Sequence, residues 1–134
     1  MSEDNVEAVR AMFDAWNRGD REGWLARAHP EVEWSSAVLR HVEGLETVHR
    51  GRAELRRFWD EWHALWNLEI AVAEIRDLGD TVLALARIRT KGRSSGAEVE
   101  QAIGYVFAFE DGLVRRASAY MTAAEALHAV GLAE

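Results

Sequence analysis

The chain has 134 residues and a mass of 15.1 kDa, the size of a single domain over 1–134 that can bury its own core. It contains no cysteine, which excludes disulfides, thiolate metal ligation, iron–sulfur clusters and cysteine nucleophiles, and a reducing, cytoplasmic setting is the expectation. A net charge of −7, with no basic cluster denser than Arg52, Arg56 and Arg57, argues against a nucleic-acid partner, and no apolar run reaches the roughly 18 residues of a membrane span.

The N-terminal MSEDNVEAVR is acidic and lacks the apolar stretch of an export signal. Val6, Val9, Phe13 and Trp16 recur at helical steps of three and four, and Asp4 with Glu7 reads as a capping box. Gly19 ends this helix. Asp20 is placed to cap a short second helix carrying Trp24 and Leu25, which must stop before Pro30. A strand follows with Val32, Trp34 and Ser36 on one side and Glu33 and Ser35 on the other. Residues 37–50 show no clean period and read mostly as loop. From Arg52 to Trp66, two apolar stripes (Leu55, Phe58, Trp62, Leu65 and Trp59, His63, Trp66) predict a third helix covered over much of its circumference.

From Leu68 the period changes to two: Leu68, Ile70, Val72, then runs over 81–90, 98–109 and 113–121. Turn residues at 78–81, 92–96 and 110–112 join these as an antiparallel meander of four strands. Thr122 and Glu125 form a second capping box, for a last helix carrying Leu127 and Val130 and ended by Gly131. The predicted class is α+β: a curved antiparallel sheet with three to four N-terminal and C-terminal helices on one face, enclosing an apolar cavity.

Pairing Arg89 with Glu98 and Arg87 with Glu100 across the long hairpin satisfies opposite charges, and the alternative would bury two guanidinium groups. Leu83, Leu85, Arg87, Arg89, Glu98, Glu100, Ala102, Gly104, Val106 and Ala108 then face outward. Val82, Ala84, Ala86, Ile88, Val99, Gln101, Ile103, Tyr105, Phe107 and Phe109 face inward. The expected cavity wall is Trp34, Phe58, Trp62, Ala86, Ile88, Ile103, Phe107, Ala117, Ala119 and Met121. Its few polar groups are Tyr105, Gln101 and Ser36. The outer face, apolar with a charged rim, is a surface for a homodimer.

The strings FDAWNRGDREGWLARAHPEVEW, VHRGRAELRRFWDEW and FAFEDGLVRRASAY closely resemble SnoaL-like domains of the nuclear-transport-factor-2-like superfamily, over nearly the whole chain. The resemblance implies the cone fold and a dimeric habit. It implies no single activity, because ketosteroid isomerases, polyketide cyclases, limonene epoxide hydrolases, dehydratases and non-catalytic binding domains share the scaffold. The charged epoxide-hydrolase set falls on Ala86, Ile88 and Ala119 here, with Trp34 and Ser36 at the companion positions, so it is not retained. The isomerase base falls on Trp34 or Ser35, and its acidic oxyanion donor on Tyr105.

Tyr105, a neutral phenol able to hydrogen-bond a carbonyl or enolate, is therefore the first candidate for catalysis, against the alternative of a buried tyrosine in the core. His49 and His41, flanking Glu43 and Glu46, are candidate bases in the irregular segment at the cavity mouth. Trp16, Trp34 and Trp62 can stack on a flat ligand or serve as core, and Gln101 can bind a polar group. His63 reads as a packed histidine and His29 as part of the strand entry. No metal motif, cofactor motif, phosphate loop or nucleophile turn is present, so no metal and no cofactor are expected. The function expected is binding of a small, mostly apolar, polycyclic or carbonyl-bearing molecule, as an isomerase, cyclase or dehydratase, or else as a non-catalytic binding or dimerisation module.

Overall fold

In the computed structural model, which describes residues 2–36, 48–92, 96 and 98–131, the chain opens with helix α1 (Ser2–Arg18). Val9, Met12, Phe13 and Trp16 on one face of α1 are buried in the core. Because the helix already begins at Ser2, Asp4 lies inside its first turn, where a carboxylate opposes the positive end of the helix dipole. The expected Asp4–Glu7 capping box is thus displaced. Gly19 takes a φ of +75°, and the Asp20 carboxylate accepts from Gly23 N at 3.0 Å to open α2 (Arg21–Leu25), as expected.

Strand β1 (Ala28–Ser36) buries Val32, Trp34 and Ser36 and leaves Glu33 and Ser35 half-buried. The reading of 37–50 as loop needs correction at its end. Val48–Arg50 form strand β2, antiparallel to β1, with His49 opposite Trp34. Three residues are too short to display a period, which is why this strand is silent in the sequence. Residues 37–47, and with them His41, lie outside the described residues.

Gly51, at φ +79°, turns β2 directly into α3 (Gly51–Leu65), which buries Leu55, Phe58 and Trp59. Arg52 ties this helix to β1, donating from Nε and Nη2 to the Ala28 carbonyl at 2.9 and 2.6 Å. Trp66, expected in the helix, is the first residue of β3 (Trp66–Asp77). Nothing of turn chemistry separates the two elements, so helical spacing runs on into the strand.

Strands β4 (Thr81–Gly92), β5 (Glu98–Glu110) and β6 (Leu113–Tyr120) complete the meander, and the sheet order is β2-β1-β6-β5-β4-β3. The β5–β6 turn places Asp111 and Gly112 at φ 55° and 77°, the two left-handed positions of a tight hairpin. β1 joins β6 in parallel, so the sheet is mixed rather than wholly antiparallel. That pairing needs a crossover, and the β2–α3 segment lies within the connection.

The register of the β4–β5 hairpin differs from expectation by two residues: Arg89 faces Glu100 and Arg87 faces Ala102. A slip of two preserves the pleat, so every inward or outward assignment survives. The expected charge partners meet on the diagonal instead, Arg87 to Glu100 at 2.8 Å and Arg89 to Glu98 at 3.8 Å. A bulge between Val72 and Glu74 brings Ile75 to a position facing Ala84, on the inner side.

The final helix α4 (Ala123–Ala129) begins at Thr122, whose hydroxyl accepts from Glu125 N at 3.1 Å. It packs on the outer face, against β5: a Cβ at Gly104 would lie 2.3 Å from the Ala126 Cβ. The expectation of helices on one face alone is therefore corrected. α4 carries small residues rather than a broad apolar stripe, so its packing partner shows only as a glycine inside a strand.

Candidate functional site

A cavity of about 90 Å³ lies between α1, α2 and α3 and the inner face of the sheet. From the helices come Met12, Phe13 and Trp16 of α1, Trp24 of α2, and Phe58 and Trp62 of α3. From the sheet come Trp34 and Ser36, then Leu68, Ile70, Ile88 and Thr90. Strands β5 and β6 add Gln101, Ile103, Tyr105, Phe107 and Ala119.

The volume has a simple origin in the register. On β5 the inward residues Ile103, Tyr105 and Phe107 are large, while most of their cross-strand neighbours are alanines: Ala84 and Ala86 on β4 and Ala117 and Ala119 on β6, with Val82 opposite Phe107. Short side chains on both flanks of a tall central row leave space that the helices do not fill. The aromatic wall around it is braced ring against ring. Trp16 meets Trp24 at 5.3 Å and Trp59 at 4.9 Å, Trp24 meets Trp34 at 5.2 Å, and Trp34 meets Phe107 at 6.0 Å between centroids. Each such pair contributes about 0.5–1.5 kcal/mol beyond burial.

Among the described residues, the polar groups are few and uncharged. Ser36 is buried, and Thr90 and Gln101 are half-buried together with Trp62 and Leu68, marking the more open end. Gln101 Nε2 donates to the Met121 sulfur at 3.7 Å. Tyr105 is buried between Phe13, 5.3 Å away edge-on, and Phe107, stacked at 5.9 Å. Burial alone pushes its phenol above the ordinary value, so it stays a neutral donor at physiological pH. The Trp16 indole Nε1–H is buried with no hydrogen-bond partner among the described residues, a condition costing about 1–3 kcal/mol. No carboxylate, imidazole or cation of the described residues lines the cavity.

Of the expected ligand-contacting residues, Trp16, Trp34, Ser36, Phe58, Trp62, Ile88, Gln101, Ile103 and Phe107 come together on this wall, with Tyr105. Met121, Ala86 and Ala117 do not line it. β6 ends at Tyr120, and Met121 beyond it packs beside Gln101; Ala86 and Ala117 face inward without bordering the space. Met12, Phe13, Trp24, Leu68, Ile70 and Thr90 were missed as wall residues. For Met12 a signal existed, since it stands three residues after Val9 and four before Trp16 on the same helical face.

His49 is buried on β2 with its ring 4.9 Å from that of Phe58, and so stands beside a wall residue rather than on the wall. His63 is stacked on Trp59 at 4.0 Å, with Nδ1 3.0 Å from the Trp59 carbonyl, a packed histidine as expected. His29, Glu110 and Asp111 bring three potential metal ligands together at the β1 entrance. His29 Nδ1 accepts from Glu31 N at 3.0 Å, which leaves the proton on Nε2, directed at Glu110 3.2 Å away. That arrangement is a hydrogen-bonded pair, with no imidazole lone pair turned to a cation.

Residues 9–117 match the SnoaL-like domain family. The chain belongs to this family. No curated protein matches its sequence. Among solved structures, this SnoaL-like domain is similar to an NTF2-like protein of unknown function from Burkholderia pseudomallei, at 23% identity and a TM-score of 0.81, covering 93% of this chain and 95% of that one. It is similar to TerC co-crystallised with polyporic acid, at 23% identity and a TM-score of 0.79, over 94% and 96% of the two chains. An LEH-like epoxide hydrolase of M. tuberculosis matches at 17% identity and a TM-score of 0.74, over 88% and 82%. At these identities the likeness is one of fold.

Proposed function

We propose that this SnoaL-like domain binds a small, neutral, mostly apolar molecule bearing a carbonyl, held in the aromatic cavity. The observation that carries this reading is the composition of the wall among the described residues: tryptophan, phenylalanine and aliphatic side chains, with only uncharged polar groups between them. An ionised ligand would lose its hydration there without a counter-charge, whereas a flat apolar one exchanges water for close-packed rings. A small-molecule site is in keeping with TerC, which is similar in fold and was co-crystallised with polyporic acid. Titration with 1-indanone and with indane-2-carboxylate tests the reading. Saturable quenching of tryptophan fluorescence by the ketone and none by the carboxylate is expected; tighter binding of the carboxylate would overturn it.

A catalytic version, as isomerase, cyclase or dehydratase, is favoured by one observation: Tyr105 supplies a neutral hydroxyl on a dry wall, suited to a developing enolate oxygen. A base must then take the α-proton, and His49 beside Phe58, or His41, is the candidate. The two versions separate by exchange of the C2 protons of 1-indanone in D₂O. Acceleration over buffer that falls in Tyr105→Phe supports catalysis, and no acceleration leaves a binding module. As a partner we propose a second copy of the chain, paired through the part of the outer sheet face that α4 leaves uncovered.

A further inference from the structure

Two neighbouring rows of side chains cross the inner face of the sheet from β1 through β6 to β5. In the first, Trp34 pairs with Ala117 and Ala117 with Phe107. The Trp34 and Phe107 rings close across the alanine, 6.0 Å apart between centroids, and Ala117 is 1% exposed and does not border the cavity. Two residues along each strand, the second row repeats the pattern with a serine in place of the tryptophan: Ser36 pairs with Ala119 and Ala119 with Tyr105. Ala119 is 7% exposed and lines the cavity together with Ser36 and Tyr105. Part of the empty volume is thus the place that an indole would take if the first row's pattern continued.

A hydroxyl stands on either side of that place. Neither Ser36 Oγ nor Tyr105 Oη has a hydrogen-bond partner among the described residues, and neither is sealed from water-sized space, in contrast to Trp16 Nε1. On so apolar a wall, two uncommitted hydroxyls are groups for a ligand to satisfy. Neighbouring strands lie about 4.8 Å apart, so the backbones of Ser36 and Tyr105, two strands apart, stand roughly 9–10 Å from each other. That spacing fits a ring between the two hydroxyls better than one oxygen shared by both. We infer that the cavity holds a single ring over Ala119, bearing an uncharged oxygen function on each of two opposite edges, one hydrogen-bonded to Ser36 and the other to Tyr105. The inference rests on the reading of the cavity as a small-molecule site. It adds where the ring lies, how many oxygens it carries and the part of Ser36 in selecting it.

Cyclohexane-1,4-dione and cyclohexanone, with two oxygens and one, are the matched probes, and their dissociation constants are read from the methyl resonances of Ile88 and Ile103, which line the cavity. Ser36→Ala and Tyr105→Phe should each weaken the dione about five-fold, the effect of one neutral hydrogen bond, and the double variant about 25-fold. Cyclohexanone can turn to whichever hydroxyl remains. Either single variant should therefore leave its affinity within about two-fold, and the double variant should lower it about five-fold. An unchanged dione affinity in a folded Ser36→Ala variant overturns the inference, as does a cyclohexanone loss as large in one single variant as in the double. A second measurement needs no variant: in wild-type protein, nuclear Overhauser contacts should run from the protons of the dione to the Ala119 methyl and not to the Ala117 methyl. Contact with Ala117 as strong as with Ala119, or with neither while Ile88 and Ile103 respond, overturns the inference and leaves the site standing. If neither probe perturbs Ile88 or Ile103, the reading of the cavity itself fails and the inference falls with it.

Discussion

A hydroxyl group buried against two phenylalanines places a sharp constraint on pH. Tyr105 has its phenol raised above the ordinary value by burial, so the unfolded chain loses this proton at lower pH than the folded one. The folded state then binds the extra proton, and stability is complete below about pH 10 and falls as pH rises beyond it, by about 1.4 kcal/mol per pH unit. Urea unfolding of wild type and Tyr105→Phe at pH 9 and pH 11 checks the sign. The gap between the two proteins should move in favour of the variant at the higher pH, and a constant gap would show that the phenol is not desolvated. Ala119 poses the complementary question of volume. It faces Tyr105 across the β5–β6 ladder and borders a cavity of about 90 Å³. Ala119→Leu should fill that space, abolish the response of the Ile88 and Ile103 methyls to indane, and change stability by no more than about 0.5–2 kcal/mol in the favourable direction. Retained binding of indane would place the ligand elsewhere.

Two contacts decide how whole elements sit. Gly104 lets α4 close on the outer face, and the position of its missing Cβ is 2.3 Å from Ala126. Gly104→Ala should cost about 1–3 kcal/mol as the helix is pushed off, and Ala126→Gly in the same chain should restore much of it. Urea unfolding of the two single variants and the double one gives the coupling; simple additivity would refute the contact. At the other edge, Asn17 donates to the Ile70 carbonyl at 2.7 Å and accepts from Ile70 N at 2.8 Å, occupying both backbone groups of an edge strand from the end of α1. Asn17→Ala should cost about 1–3 kcal/mol and speed amide exchange at Ile70. An unprotected Ile70 amide in the wild type would remove that role. These contacts are illegible in a sequence, since nothing marks Asn17 as different from any polar residue near a helix end. The elements themselves were readable, because Asp20, Thr122, Gly19 and the Asp111–Gly112 turn act through local backbone chemistry.

At the scale of the molecule, the inner wall was legible for a reason that does not extend to the topology. Alternation along β4 and β5 sorts side chains to two faces, and a register error of two residues leaves that sorting intact, so Ile88, Gln101, Ile103, Tyr105 and Phe107 reach the wall despite the wrong pairs. The parallel pairing of β1 with β6 joins segments some 80 residues apart in sequence, such as Trp34 and Ala117, and has no local signature. The place of α4 was hidden likewise, and it bears on the proposed dimer. With α4 over Gly104, the uncovered part of the outer face is carried by Arg87, Arg89, Glu98, Glu100 and Ala102. Arg87 already holds the Glu100 carboxyl below the ordinary carboxylate range, so both signs of charge alternate on one surface, and such a surface is self-complementary across a two-fold axis. Sedimentation equilibrium should therefore give a species of twice 15.1 kDa. Ala102→Glu, which adds a like charge beside Glu100 in each copy, should shift the protein toward monomer, most strongly at low salt where screening is weakest. A dimer indifferent to that substitution would place the interface on another face, and a wild-type monomer would mean that the Arg–Glu ladder is solvated.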